Sequence, residues 1–248
     1  MDYINIRGVS FDNVNMDEAI SRCYELMSTD GAKIIHTPNA EIVQMCVEDK
    51  EKCKLINAAD LIIPDGAGVI LAGKVLGNPV KKGKVAGIEL CEGLCRTSGQ
   101  KGFSIFFLGG KPGVAEKASQ KLLEKYPDMR IAGTNDGYFK EDEPIIKMIH
   151  DSGADILFVC LGVPRQEIWM NANRNRLNVK IMGGFGGSFD VFAGEVNRAP
   201  AFFIKCNLEW FYRLIKEPRR IGRMMKLPKF ILGAIKDKII RKKYEDMR

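Results

Sequence analysis

An α/β architecture is expected of this chain, with a mostly parallel sheet covered by helices on both faces and a helical segment at the C-terminal end. Three features point there. Short runs of Ile, Leu, Val and Phe alternate with longer stretches of helical periodicity, the pattern of right-handed βαβ units. Two of the runs leave through glycine towards a proline that opens the next helix, Phe106-Phe107-Leu108-Gly109-Gly110-Lys111-Pro112 and Val159-Cys160-Leu161-Gly162-Val163-Pro164. Glycine permits the tight exit, and proline is preorganised for a first helical turn. After Gly194 the alternation stops, and a single helical stripe takes over. The expected organisation is a Rossmann-like core over residues 1–194 and a basic amphipathic appendage over residues 195–248.

Along the chain, an apolar run at 3–6 opens as a strand and 16–27 follows as a helix. A strand at 32–36 feeds a helix at 39–47, and a strand at 61–63 turns through Pro64-Asp65-Gly66 into a helix at 66–76. A further helix is expected at 87–96. The strand at 104–108 leads to the helix at 112–125, and the strand at 130–133 to the helix at 144–151. The strand at 156–161 feeds the helix at 165–173, and the last strand, 179–182, runs into Gly183-Gly184-Phe185-Gly186-Gly187-Ser188. In the final segment Leu227, Phe230, Ile231, Ala234 and Ile235 fall on one helical face, with Lys226, Lys229, Lys236 and Arg241 to Lys243 mostly off it.

With 248 residues, 46% of them hydrophobic, the chain can build a full-sized core. Its seven cysteines stand singly, without a CxxC, and its histidines are only His36 and His150. Buried thiols in a reducing compartment fit this usage better than a disulfide framework or a zinc site. Residues 1–8 show no basic stretch followed by an apolar run, and no apolar run is long enough to cross a bilayer. A cytoplasmic protein is expected, or one that lies on a membrane without crossing it. Residues 195–248 hold 15 basic against 6 acidic residues, net +9, leaving 23 against 25 in the first 194. The basic excess sits at one end, which suggests an anionic partner for that segment.

Familiar phosphate signatures are missing: there is no G-x-x-x-x-G-K-[ST], and no G-x-G-x-x-G after the first strand, which disfavours a nicotinamide-dependent oxidoreductase. The glycine-rich turn containing Gly184 and Gly186 suits either a diphosphate or close packing of helix on strand. Polar clusters follow three strands: Thr37-Pro38-Asn39-Ala40-Glu41, Pro64-Asp65-Gly66-Ala67-Gly68 and Gly162-Val163-Pro164-Arg165-Gln166-Glu167. In a parallel sheet these ends share one edge, so Thr37, Asn39, Asp65, Arg165 and Gln166 are candidates for a common pocket, with Asp65 as a general base. Helix capping is the competing use for Thr37, Asn39 and Asp65.

These blocks, together with Val85-Ala86-Gly87, Phe107-Leu108-Gly109-Gly110 and Gly186-Gly187-Ser188-Phe189-Asp190 through Arg198-Ala199-Pro200, resemble the WecG/TagA/CpsF glycosyltransferase family in order and spacing from about residue 8 to residue 224. The resemblance implies an inverting transfer of N-acetylmannosamine from UDP to the 4-hydroxyl of N-acetylglucosamine on a polyprenyl diphosphate, as in wall teichoic acid synthesis. It implies Asp65 as the base, with Thr37, Asn39 and Gln166 around the sugars and no metal cofactor. Substrate contacts are expected from Arg165, Gly109, Gly110, Gly184 and Gly186 by their places at strand ends, and the resemblance implies further ones from the appendage arginines Arg213, Arg220 and Arg223, which would offset charge on the departing UDP. Many relatives carry arginine where this chain has Lys84, which supplies charge without a bidentate fork. Attachment to an anionic membrane surface on its inner face is expected of the basic segment, and self-association of its apolar stripe.

Two other readings compete with this one. Relatives with similar pockets transfer the uronic acid of N-acetylmannosamine, or glucose. A non-catalytic module binding membranes or other polyanions would explain the basic tail but leave the polar strand ends without a task. Nucleic acid is not expected, because the tail's aromatics follow an amphipathic pattern and do not form a stacking platform.

Overall fold

The computed structural model describes residues 2–206, 208–216, 222 and 225–245. The chain opens not into the main sheet but into a hairpin, β1 (Tyr3–Ile6) and β2 (Val9–Asp12), paired antiparallel across the two-residue turn Arg7-Gly8. Both turn residues have positive φ, 51° and 94°, which suits the right-handed twist of a hairpin. The first strand is thus where it was expected, but its partner β2 and its place outside the main sheet were not.

Six strands form the core sheet: β3 (Lys33–His36), β4 (Leu61–Ile62), β5 (Ser104–Gly109), β6 (Arg130–Asn135), β7 (Ile156–Cys160) and β8 (Ile181–Gly184). Their spatial order is β4-β3-β8-β7-β5-β6, and every neighbouring pair is parallel. Around them lie α1 (Met16–Met27), α2 (Ala40–Glu48), α3 (Lys50–Asn57), α4 (Ala67–Leu76), α5 (Gly87–Ser98), α6 (Val114–Lys125), α7 (Asp142–Ser152), α8 (Arg165–Asn173) and α9 (Ser188–Phe192). Then come α10 (Ala201–Lys205), α11 (Glu209–Lys216) and α12 (Lys226–Glu245).

The inner strands β7 and β8 are apolar, and β5 is nearly so, because both sheet faces are covered there. On β5 and β7, Ile105, Phe107, Ile156 and Phe158 join a cluster with α1, α5, α6 and α9, while Phe106, Leu108, Leu157 and Val159 join another with α7 and α8. Phe158 sits edge-on between Phe107 and Phe185, with ring centroids 5.4 and 5.0 Å away. A third cluster joins the hairpin to α2, α4 and α12, and this is where the C-terminal stripe goes. Phe230 and Ala234 are fully buried and Leu227 and Ile231 partly so, while Ile235 stays 40% exposed. The face expected to await a membrane or a second subunit is therefore largely spent on the body of the same chain.

Arg7 fastens that contact. Its side chain donates to Asp237 Oδ2 at 2.8 Å, to Gln44 Oε1 at 3.0 Å and to the Phe230 carbonyl at 3.2 Å, and its guanidinium lies 5.6 Å from the centre of the Phe230 ring. Lys229 adds an ion pair to Glu48 at 2.6 Å. Among the described residues, no helix is long and apolar enough to cross a membrane.

Candidate active site

The sheet order makes β4, β3, β8 and β7 four consecutive strands, so their carboxyl ends share a single edge. A cleft of about 280 Å³ opens there. Thr37 and Asn39 reach it from β3, Asp65 from β4, Gly186 and Ser188 from β8, and Val163 and Gln166 from β7. Lys84, Ala86, Gly87 and Ile88 complete it at the start of α5, and Glu209, Trp210 and Leu227 border it from the C-terminal segment. The N-termini of α4 and α5 open into this space without a side-chain cap, and their first N–H groups favour an anion.

The expected residues of the sheet edge have definite places. Thr37 does not cap a helix; its Oγ1 donates to the Gly184 carbonyl at 3.1 Å, tying β3 to β8. Gly87 lies against it, since a Cβ there would stand 2.8 Å from Thr37 Oγ1, so only glycine lets α5 start this close. Asn39 does cap: its Oδ1 accepts from the Glu41 and Ile42 amides at 2.9 and 3.2 Å. What Asn39 offers the cleft is then its amide NH2 group. Asp65 is half-buried at the exit of β4, and the N-cap of α4 is the following residue, Gly66, with φ 83°. Lys84 is the cation among the described lining residues.

Gln166 is 2% exposed, its Nε2 donating to Glu167 Oε1 at 2.8 Å and its Oε1 accepting from the Gly186 amide at 3.1 Å. Gly184 sits directly behind, where a Cβ would come within 3.0 Å of Gln166 Nε2. Glu167 is equally buried, and burial pushes its carboxyl up to about 7. Sequence reasoning passed over Glu167, although a charged residue beside the apolar Trp169 and Met170 in a short helix was a signal. His36, just below Thr37, is 1% exposed, and burial holds its imidazole down at about 3, neutral at any ordinary pH.

Gly184 lies behind the lining, and three further expected contacts are not brought to the cleft at all. Arg165 turns the other way: it donates to the Gly137 and Phe139 carbonyls at 2.6 and 3.2 Å and lies over the Phe139 ring, clamping the loop after β6. Gly109 and Gly110 end β5, beyond β7 from the cleft. Their role is close approach between strands, since a Cβ on Gly109 would stand 2.4 Å from the Cys160 carbonyl oxygen and the Gly110 amide donates to that same oxygen at 3.1 Å. Arg220 and Arg223 lie outside the described residues. Arg213 belongs to α11, but its side chain is not described.

The chain matches the model of the glycosyl transferase WecG/TagA/CpsF family over residues 4–244. It is 37% identical over 206 residues to an N-acetylglucosaminyldiphosphoundecaprenol N-acetyl-beta-D-mannosaminyltransferase of Bacillus spizizenii, covering 83% of this chain and 79% of that one. A protein of the same name from Bacillus subtilis is 35% identical over 211 residues, 85% of this chain and 82% of its own length. Another, from Staphylococcus aureus strain MRSA252, is 36% identical over 238 residues, 95% of this chain and 93% of its own.

Proposed function

This chain belongs to the WecG/TagA/CpsF glycosyltransferase family, and we propose that, like its Bacillus and Staphylococcus relatives, it attaches N-acetylmannosamine to N-acetylglucosaminyldiphosphoundecaprenol. The donor is UDP-N-acetylmannosamine, the acceptor group is the 4-hydroxyl of the N-acetylglucosamine, and the product enters wall teichoic acid. The observation that carries this reading is the meeting of Asp65, Thr37, Asn39 and Gln166 in one cleft at the carboxyl edge of the sheet.

In this reaction Asp65 accepts the proton of the acceptor hydroxyl as its oxygen attacks the anomeric carbon, the bond to UDP breaks on the opposite face, and the configuration inverts. No covalent sugar intermediate is needed. The N-termini of α4 and α5 and the Lys84 ammonium meet the negative charge that grows on the leaving diphosphate. Arg213, Arg220 and Arg223 bring further positive charge from the C-terminal segment, in place of a metal ion. Thr37 and Gln166 are already held by the protein, so their contribution is position more than proton transfer.

The C-terminal segment also supports a peripheral attachment to the inner leaflet. Leu232 and Ile239 of α12 are 66% and 63% exposed, in a segment of net charge +9. Polybasic segments gain about 1 kcal/mol per Lys or Arg beside anionic lipid. The same exposed residues suit self-association in solution, away from lipid.

The test is UDP release from a small panel of UDP-sugars with a lipid-diphosphate N-acetylglucosamine acceptor. N-acetylmannosamine should be preferred over its uronic acid and over glucose; preference for another sugar would move the chain to a different specificity within the family, and no UDP release from any would end the transferase reading.

A further inference from the structure

Glu167 is the third residue of α8, almost wholly shielded from solvent, and a buried acid without a cation is uncommon. Its Oε1 accepts from Gln166 Nε2 at 2.8 Å, while Oε2 is buried without a hydrogen-bond partner among the described residues. Gln166 passes the contact on, because its Oε1 accepts from the Gly186 amide at 3.1 Å. A chain of hydrogen bonds thus runs from the interior, through Gln166, to the glycine turn that lines the cleft.

The chemistry of the two ends fixes the middle. A carboxylate only accepts and a backbone N–H only donates, so the amide between them has one permitted orientation. Each group in Gln166 keeps one further valence, a second N–H on Nε2 and a second lone pair on Oε1, and the orientation decides which of them meets a substrate. We propose that Glu167 is a positioning residue for transfer: it locks the amide of Gln166 and, through it, the Gly186 N–H, so that the cleft presents a fixed donor and acceptor pattern to the bound sugar nucleotide. The inference uses the transferase reading for the sugar nucleotide alone; the lock itself is a property of the fold.

A carboxyl raised to about 7 is only partly ionised near neutrality, and its protonated form can donate as well as accept, which loosens the lock. Among the described residues, the buried titratable groups of the neighbouring strands and of α2 are held away from that range. Cys46 on α2 senses Glu167, but burial pushes its thiol up to about 12. His36 on β3 stays neutral down to about 3. The Cys160 thiol of β7 is pushed up by burial and packs on the other face of the sheet, and β8 carries no ionisable side chain. On α3, Lys50, Glu51 and Lys54 are exposed at its solvent side, and Lys52 pairs with Asp49.

Two measurements on the full-length protein test this. The Gly186 amide resonance should titrate with a midpoint near pH 7 in the wild type and lose that titration in Glu167→Gln; a resonance that ignores pH in the wild type, or titrates equally in the variant, overturns the lock whether or not the protein releases UDP. In the UDP-release assay, Glu167→Gln should lower kcat/KM about tenfold through KM, the size of one misplaced polar contact. Combined with Gln166→Ala, it should add no further loss. Loss that adds fully to that of Gln166→Ala, or wild-type kcat/KM in Glu167→Gln, overturns the positioning role. If Glu167→Gln melts early, the wild type alone decides: its KM for donor must change across pH 7, and a flat profile overturns the proposal.

Discussion

Glu167 has a consequence for the fold that is separate from its place beside the cleft. An acid whose folded value is raised keeps its proton where the unfolded chain has already lost it. Folding stability therefore falls as pH rises from the ordinary value of 4.5 to about 7, then levels off, a loss on the order of 3 kcal/mol. Glu167→Gln removes the titration. Denaturant unfolding of both proteins should show the variant gaining on the wild type by about that amount across this window and not beyond it; a constant difference at every pH would contradict the assignment. At this scale the sequence exposes residue type and strand-end position, which is why Thr37, Asn39, Asp65 and Gln166 were found, whereas Lys84 came only from the family resemblance. It does not expose which way a side chain leaves a first helical turn. Arg165 and Gln166 are neighbours, yet one clamps a loop through the Gly137 carbonyl and the other enters the cleft, because α8 turns only one of them inward. Asn39 proved to serve capping and cleft at once, two uses that sequence alone had set against each other.

At the scale of elements, long apolar runs flanked by glycine were readable because two-sided burial leaves little room for other residues. The elements that escaped notice have weaker signals. The turn Arg7-Gly8 lacks the usual Asn-Gly or Asp-Gly of a hairpin, and β2 is only four residues long. The α3 sequence, KEKCKLIN, buries only Ile56 fully and reads as solvated chain. The periodic stripe of α12 was legible, but periodicity does not say what covers it; the answer is the hairpin, α2 and α4. Arg7 holds that packing with hydrogen bonds to Asp237, Gln44 and Phe230 from a nearly buried side chain. Arg7→Ala should cost about 2 kcal/mol. Backbone hydrogen exchange should then quicken in residues 226–245 while β5 and β7 keep their protection. Equal exchange in α12 with and without Arg7 would show that apolar contacts alone seat the helix.

Over the whole molecule, the fold divides labour by charge. The first 194 residues are nearly neutral and form the sheet edge with its carboxylate, and the last 54 carry net +9 and reach back to border the same cleft through Glu209, Trp210 and Leu227. The proposed substrate pair, a nucleotide diphosphate and a lipid diphosphate, fits such a division, since both are anions. The full-length protein should cosediment with vesicles containing anionic lipid and be released as salt rises from about 0.1 M to about 1 M, where screening shortens from about 10 Å to about 3 Å. Binding that ignores both salt and lipid charge would mean that the exposed Leu232 and Ile239 act alone.

The central claim is that Asp65, at the carboxyl end of β4, takes the proton of the acceptor hydroxyl. Its most direct test is the single-turnover rate of Asp65→Asn with saturating donor and acceptor, alongside the melting temperature of the same preparation. The rate should fall by about 100- to 10,000-fold, the usual contribution of general base catalysis, with melting unchanged. Transfer at the wild-type rate by a folded Asp65→Asn protein would contradict it.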